Sequence, residues 1–162
     1  MNVCKPVLIE RRLRIQDAEA LAAFYNGLSH GSRTTFRPLG WDTRAAVCEE
    51  IARANQLDEK YDLVACHGSQ VVGWCFLWDL HGAEPTLGLG VADSYQGRGM
   101  GNRLLSRIMQ VARQREFAQV FLTVVQTNQI AQRLYERHGF ARYGEFVDEL
   151  DGLAYYRMVA KL

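Results

Sequence analysis

The strongest constraint on this chain lies in one stretch, Val91-Ala92-Asp93-Ser94-Tyr95-Gln96-Gly97-Arg98-Gly99-Met100-Gly101-Asn102. An apolar strand, Pro85 to Val91, runs into it. A helix over Gly99 to Glu116 runs out of it, with Met100, Leu104, Ile108, Val111 and Arg115 at spacings of three and four. A second apolar strand follows at Gln119 to Val125. Strand, helix and strand make a β-α-β unit, whose strands become parallel neighbours through a right-handed crossover. Glycines at 97, 99 and 101 let the backbone approach a ligand and leave successive N–H groups exposed. The helix start adds partial positive charge. The turn therefore suits a phosphate or pyrophosphate, with Arg98 as a charge-assisted contact. The dinucleotide fingerprint G-x-G-x-x-G fails, because position 102 is Asn, and no G-x-x-x-x-G-K-[ST] is present.

The remaining sequence reads as one domain over 1–162 built around that unit. It contains three prolines and shows no repeat or low-complexity linker. Val7 to Ile15 reads as a strand. Asp17 is placed to cap a helix carrying Ala18, Leu21, Ala22, Phe24 and Tyr25. Ser29 to Gly40 reads as a polar and aromatic loop, and Thr43 as the cap of a helix with Ala46, Val47, Ile51 and Ala54. Tyr61 to His67 and Gln70 to Trp78 flank Gly68-Ser69, a two-residue hairpin turn. An unbroken register puts Tyr61, Leu63, Ala65, Val72, Trp74 and Phe76 on one face. It puts Val64, Cys66, Val71, Gly73, Cys75 and Leu77 on the other. Asn128 to His138 reads as a short helix ended by Gly139. Two final strands, Arg142 to Glu149 and Leu153 to Leu162, turn at Asp151-Gly152.

Composition narrows the function. Lys and Arg total 19 against 18 Asp and Glu, a formal charge of +1, so no global field draws the protein to nucleic acid or an anionic membrane. No apolar run reaches the roughly 20 residues of a membrane helix, and Met1 to Pro6 lacks the apolar core of a leader. The four cysteines, at 4, 48, 66 and 75, show no C-x-x-C spacing and no zinc-type His partners. Cys66 and Cys75 fall in apolar stretches and read as small core residues. A reduced, cytoplasmic protein without a metal is expected.

Gln96-x-x-Gly99-x-Gly101 follows a strand ending Leu89-Gly90-Val91. Downstream stands Asn128-Gln-Ile-Ala131-Gln-Arg-Leu134-Tyr135-Glu-Arg-His-Gly139-Phe140. Together, in this order and separation, the two motifs resemble those of the GCN5-related N-acetyltransferase (GNAT) family. The resemblance is strong over 86–140 and looser elsewhere. It implies an α/β (α+β) fold: a mixed, mostly antiparallel sheet of about seven strands, a central parallel β-α-β pair and about four flanking helices. It also implies acetyl-CoA as co-substrate. Leu89, Gly90 and Val91 would offer backbone groups to the pantetheine arm and thioester, with the glycines at 88 and 90 suited to splayed strands. Gln96, Gly97, Arg98, Gly99, Met100, Gly101 and Asn102 would hold the pyrophosphate. Asn128 would bond the pantetheine, and Tyr135 would be the general acid. Spacing agrees: Asn128, Ala131 and Tyr135 share a helix face, with small Ala131 leaving room for a ligand.

The general base is less marked. Some relatives carry a Glu on the strand before the Asn, where this chain has Thr123. Glu84, before strand 85–91, is the candidate carboxylate; Asp79, His81, Glu145, Asp148 and Glu149 are weaker ones, and ordered water is a further route. Acceptor recognition is expected from the first two helices, their loop and the last two strands: Arg33, Phe36 and Trp41 in the loop, with Arg37 nearby, and Trp78 and His81 beside them. The acceptor would be a primary amine of a small molecule or protein, attacking directly in a ternary complex. The alternative is an acyl-CoA-binding regulatory module without turnover. A homodimer stays open.

Overall fold

The computed structural model describes residues 8–162; the expectations for Met1 to Pro6, Cys4 and Val7 lie outside them. The strands are β1 (Leu8–Arg12), β2 (Tyr61–His67), β3 (Gln70–Trp78), β4 (Thr86–Val91), β5 (Gln119–Val125), β6 (Phe140–Val147) and β7 (Ala154–Lys161). The helices are α1 (Ala18–Asn26), α2 (His30–Thr35), α3 (Ala45–Gln56), α4 (Met100–Gln114) and α5 (Gln129–Arg137). The strands form one sheet in the order β1-β2-β3-β4-β5-β7-β6, antiparallel throughout except for the parallel β4–β5 pair. Helices cover both faces. On one face Leu104, Leu105, Ile108 and Met109 of α4 pack with Leu63, Cys75, Leu77, Leu122 and Met158. On the other, Leu21, Tyr25 and Ile51 of α1 and α3 pack with Val64, Val71, Trp74 and Phe76. Sheet residues are thus apolar in both directions, as a doubly covered sheet requires.

The expected hairpin forms, with Gly68 at φ 62°, but its faces differ from an unbroken register. His67 pairs with Gln70 and Cys66 with Val71, whereas Ala65 pairs with Gly73, leaving Val72 unopposed. This bulge exchanges the faces beyond it. Leu63 and Ala65 share a face with Cys75 and Leu77, not with Trp74 and Phe76. The bulge also serves the site. The Val72 carbonyl accepts the Ala92 N–H at 2.8 Å, fixing the residue that leaves β4. A β-carbon on Gly73 would fall 2.9 Å from Met100 Sδ and 3.0 Å from Leu104 Cδ1, so this glycine lets the start of α4 press onto the sheet.

Capping departs from expectation too. Ser29 to Gly40 is not all loop: Ser29 Oγ accepts the Ser32 N–H at 3.2 Å and starts α2. Asp17 stands before α1, but its carboxylate takes Arg11 at 2.6 and 2.8 Å and the Arg14 N–H at 2.8 Å. Thr43 does not cap α3; Asn26 holds its backbone N–H and C=O, each at 2.9 Å. Cys48, Cys66 and Cys75 are buried free thiols, each pushed above the ordinary range by burial.

Candidate active site

The parallel pair is barely a pair. Phe121 donates its N–H to the Pro85 carbonyl at 2.8 Å, and Thr86 opposite Phe121 is the one register partner. Past that rung the strands part. Backbone groups alternate in direction along a strand. Ala92 N–H points to β3, so Leu89 and Val91 turn theirs toward β5, which is no longer in reach. By the same alternation Thr123 turns its N–H and C=O into the gap from β5. Unsatisfied backbone groups on both sides of a splay are ready partners for an amide-bearing chain.

A groove of about 530 Å³ opens from this splay over the start of α4. Gly97 and Gly99 have φ of 73° and 80°, and a β-carbon on either would meet open space. Side chains are excluded there by backbone conformation rather than by crowding. The first bond of α4 runs from Arg103 N–H to Gly99 C=O at 3.1 Å, so the N–H groups ahead of it lack helical acceptors. Gln96 Nε2 donates to the Val91 carbonyl at 3.0 Å and to Ser32 Oγ at 3.2 Å, tying the turn to β4 and α2. Asp93 draws in α2 through the Ser29 N–H and both Ser29 and Ser32 hydroxyls, at 2.7 to 2.9 Å. Burial works against its charge, but these bonds prevail and hold its carboxyl below the usual range.

Most expected donor-side residues meet here. Leu89, Val91, Gln96, Gly97, Gly99, Met100, Gly101, Asn102, Asn128 and Ala131 all line the groove. Asn128 caps α5, its Oδ1 accepting the Ala131 N–H at 3.3 Å. Three expected residues stand apart. Arg98 is exposed, its guanidinium 5.4 Å from the Tyr95 ring centre. Gly90 is buried on the opposite face, where its β-carbon would fall 2.4 Å from the Phe36 ring; Gly88 likewise yields to Phe76. These two glycines admit aromatic rings rather than splaying the strands. Tyr135 is only 7% exposed and packs in the core against Phe140, while Leu134 lines the groove. Burial, and then Cys75, push its phenol well above the ordinary range, so it stays protonated. Sequence reasoning missed Gly31, Ser32 and Thr35 of α2, along with Tyr95 and Arg137.

A second cleft, also about 530 Å³, reaches the same splay from the other side. Thr35 borders both spaces. The cleft is lined by Phe36 and Arg37 after α2, Phe76 and Trp78 of β3, Gly88 of β4 and Thr123 of β5. The β6–β7 hairpin adds Phe146, Asp148, Asp151 and Tyr155. Phe36 and Trp78 stand where expected. Arg33 and Trp41 do not line it, because Arg33 turns away to the Leu28 carbonyl at 3.0 Å and to Asp42 at 2.9 Å. Trp41 is exposed against His30. Glu84 is exposed ahead of β4, outside the lining of either space.

Behind the cleft wall lies Asp62, 0% exposed. Its Oδ1 accepts the indole N–H of Trp74 at 2.9 Å and of Trp78 at 3.1 Å, and its Oδ2 has no partner. Burial outweighs those bonds and pushes its carboxyl up to about 6.

Groove and cleft thus meet at one splayed strand pair. The sequence pattern of the acetyltransferase (GNAT) family matches residues 29–140, and the chain belongs to that family. Solved structures share the fold at low identity. The GNAT-family acetyltransferase of Streptococcus pneumoniae is 23% identical with a TM-score of 0.82, over 96% of this chain and 99% of its own. A putative acetyltransferase of Salmonella typhimurium, solved with its cofactor acetyl-CoA, is 21% identical with a TM-score of 0.80, over 96% and 94%. The ribosomal-protein-alanine N-acetyltransferase of Brucella melitensis is 22% identical with a TM-score of 0.80, over 95% and 99%. No curated protein matches the sequence. Among the described residues no helix is long and apolar enough to cross a membrane, and no His, Cys, Asp or Glu group could hold a metal.

Proposed function

We propose that the protein transfers an acetyl group from acetyl-CoA to a primary amine held in the second cleft, in a ternary complex. The observation that carries this reading is the meeting of groove and cleft at the β4–β5 splay. The groove fits the donor: free N–H groups at the α4 start suit a diphosphate, and the unpaired backbone groups of Leu89 with the Val91 N–H suit an amide-bearing arm. Acetyl-CoA supplies the activated thioester. The Val91 N–H stabilises the developing oxyanion. Tyr135, kept protonated by burial, gives its proton to the departing thiolate once its core packing lets the phenol reach the groove. With Glu84 outside the cleft and Thr123 where a carboxylate could have stood, water in the cleft takes the proton of the amine.

A second reading, a regulatory module that binds an acyl-CoA without turnover, is favoured by the burial of Tyr135 away from the groove. Thiol release from acetyl-CoA across a panel of amines separates the two. Amine-dependent release supports the transferase; tight acetyl-CoA binding with no release from any amine supports the module.

A further inference from the structure

The acceptor cleft has a distinctive lining. Its floor crosses one face of the sheet, with Phe76 and Trp78 on β3, Thr86 and Gly88 on β4, Thr123 on β5, Tyr155 on β7 and Phe146 on β6. The middle positions are small, and two aromatic stacks flank them. Phe76 and Trp78 stack with centroids 3.9 Å apart at 19°, and Phe146 and Tyr155 at 5.2 Å and 11°. Each stack is covered on its outer ring by a cation of the chain itself. Lys60 Nζ lies 3.5 Å from the Trp78 ring centre, and the Arg157 guanidinium lies 4.3 Å from that of Phe146. Tyr155, the inner ring of its stack, has no cation over it among the described residues and borders the small-residue floor, whereas Phe76 is buried over Gly88 and closes that end of it.

The charges point the same way. Arg37 is the cation in the lining, but Asp151 pairs with it at 3.0 Å. That carboxylate also accepts the Tyr155 hydroxyl and the Leu153 N–H, so Arg37 is spent on the hairpin. Asp148 has no ion-pair partner among the described residues; its Oδ1 accepts the Leu150 N–H at 2.7 Å. The lining thus holds one carboxylate beyond charge balance.

Resting on the transferase reading above, we infer that the acceptor is a small arylalkylamine-type substrate: one cationic primary amine joined by a short linker to a flat apolar body. The Tyr155 ring, over the small-residue floor, receives the flat body. Asp148 and the ring faces attract the ammonium. A carboxylate beside the amine would meet Asp148, with Arg37 already paired to Asp151 and Lys60 and Arg157 laid over the outer rings rather than in the lining. A polyamine would find one unpaired carboxylate for several charges. The cleft volume suits a small molecule rather than a folded partner.

The test is steady-state thiol release from acetyl-CoA with 2-phenylethylamine, L-phenylalanine and spermidine, beside calorimetric titration of acetyl-CoA. The expected kcat/KM for phenylethylamine exceeds the other two by about tenfold or more. Asp148→Asn narrows the gap to L-phenylalanine while leaving acetyl-CoA affinity unchanged. Equal or better turnover of L-phenylalanine or spermidine overturns the inference and leaves the transferase standing. So does a protein that binds acetyl-CoA yet does not acetylate phenylethylamine while acetylating another amine. Failure to bind acetyl-CoA at all brings down the transferase reading itself.

Discussion

The donor groove and the acceptor cleft meet at one splay but are made of different material. The groove is made mostly of backbone: free N–H groups at the α4 start, an unpaired β4 edge and glycines at positive φ. The cleft is made of side chains, chiefly aromatic rings and acids from the segment after α2, from β3 and from the β6–β7 hairpin. A backbone site changes little when neighbouring side chains vary, and fails when a glycine is lost. A side-chain site can be refitted one residue at a time. One fold can thus keep its donor while its acceptor changes.

The largest effect should come from breaking the backbone site. Gly99→Glu puts a side chain at φ 80° and an anion where the diphosphate would lie. Acetyl-CoA affinity should fall by about a hundredfold or more in calorimetry, with the circular-dichroism spectrum unchanged. Retained affinity would detach the groove from the donor. Tyr135→Phe should lower kcat by about a hundredfold, the usual span of a general acid, with acetyl-CoA affinity intact. Parallel loss of rate and affinity would make the phenol a binding group.

The acceptor wall carries a stability cost that the donor groove lacks. The Asp62 carboxyl titrates near 6 when folded, against a reference of 3.8. Below pH 4 it is protonated in both states and makes no difference. Between about pH 4 and 6 the unfolded chain releases this proton while the folded one keeps it, so stability falls as pH rises, by about 3 kcal/mol in all. Asp62→Asn should remove that decline and raise the melting temperature at pH 7.5 more than at pH 4.5. An unchanged pH profile would refute the buried charge. The smallest effect is expected from Trp78→Ala, which should raise the acceptor KM by about tenfold while leaving acetyl-CoA affinity alone. A matching loss of donor affinity would erase the distinction between the two sites.

That same distinction decided what the sequence disclosed. The donor turn was legible because its information is local: glycine spacing, a strand before and a helix after. The matching Asn128 and Ala131 also fall on one helical face. The cleft was largely illegible because its parts are distant. Arg37 meets Asp151 across 114 residues, and no spacing rule joins them. Phe36 and Trp78 were marked by residue type; the last two strands were expected to contribute, but their plain alternation did not single out Tyr155 and Phe146. Arg33 and Trp41 share the composition of that loop but turn outward, because His30–Thr35, capped by Ser29, forms a helix of six residues, too short to show in the sequence pattern. The bulge at Val72 left no sign in an apolar run, so strand existence was readable and strand facing was not.

The most direct test of the site is to record backbone amide resonances while acetyl-CoA is added. Donor binding at the start of α4 and along the free β4 edge predicts that the largest shifts fall on the amides of Arg98 to Asn102, Leu89 and Val91, with Trp78 and Tyr155 little changed. Shifts centred on the β6–β7 hairpin, with the glycine turn unmoved, would contradict it.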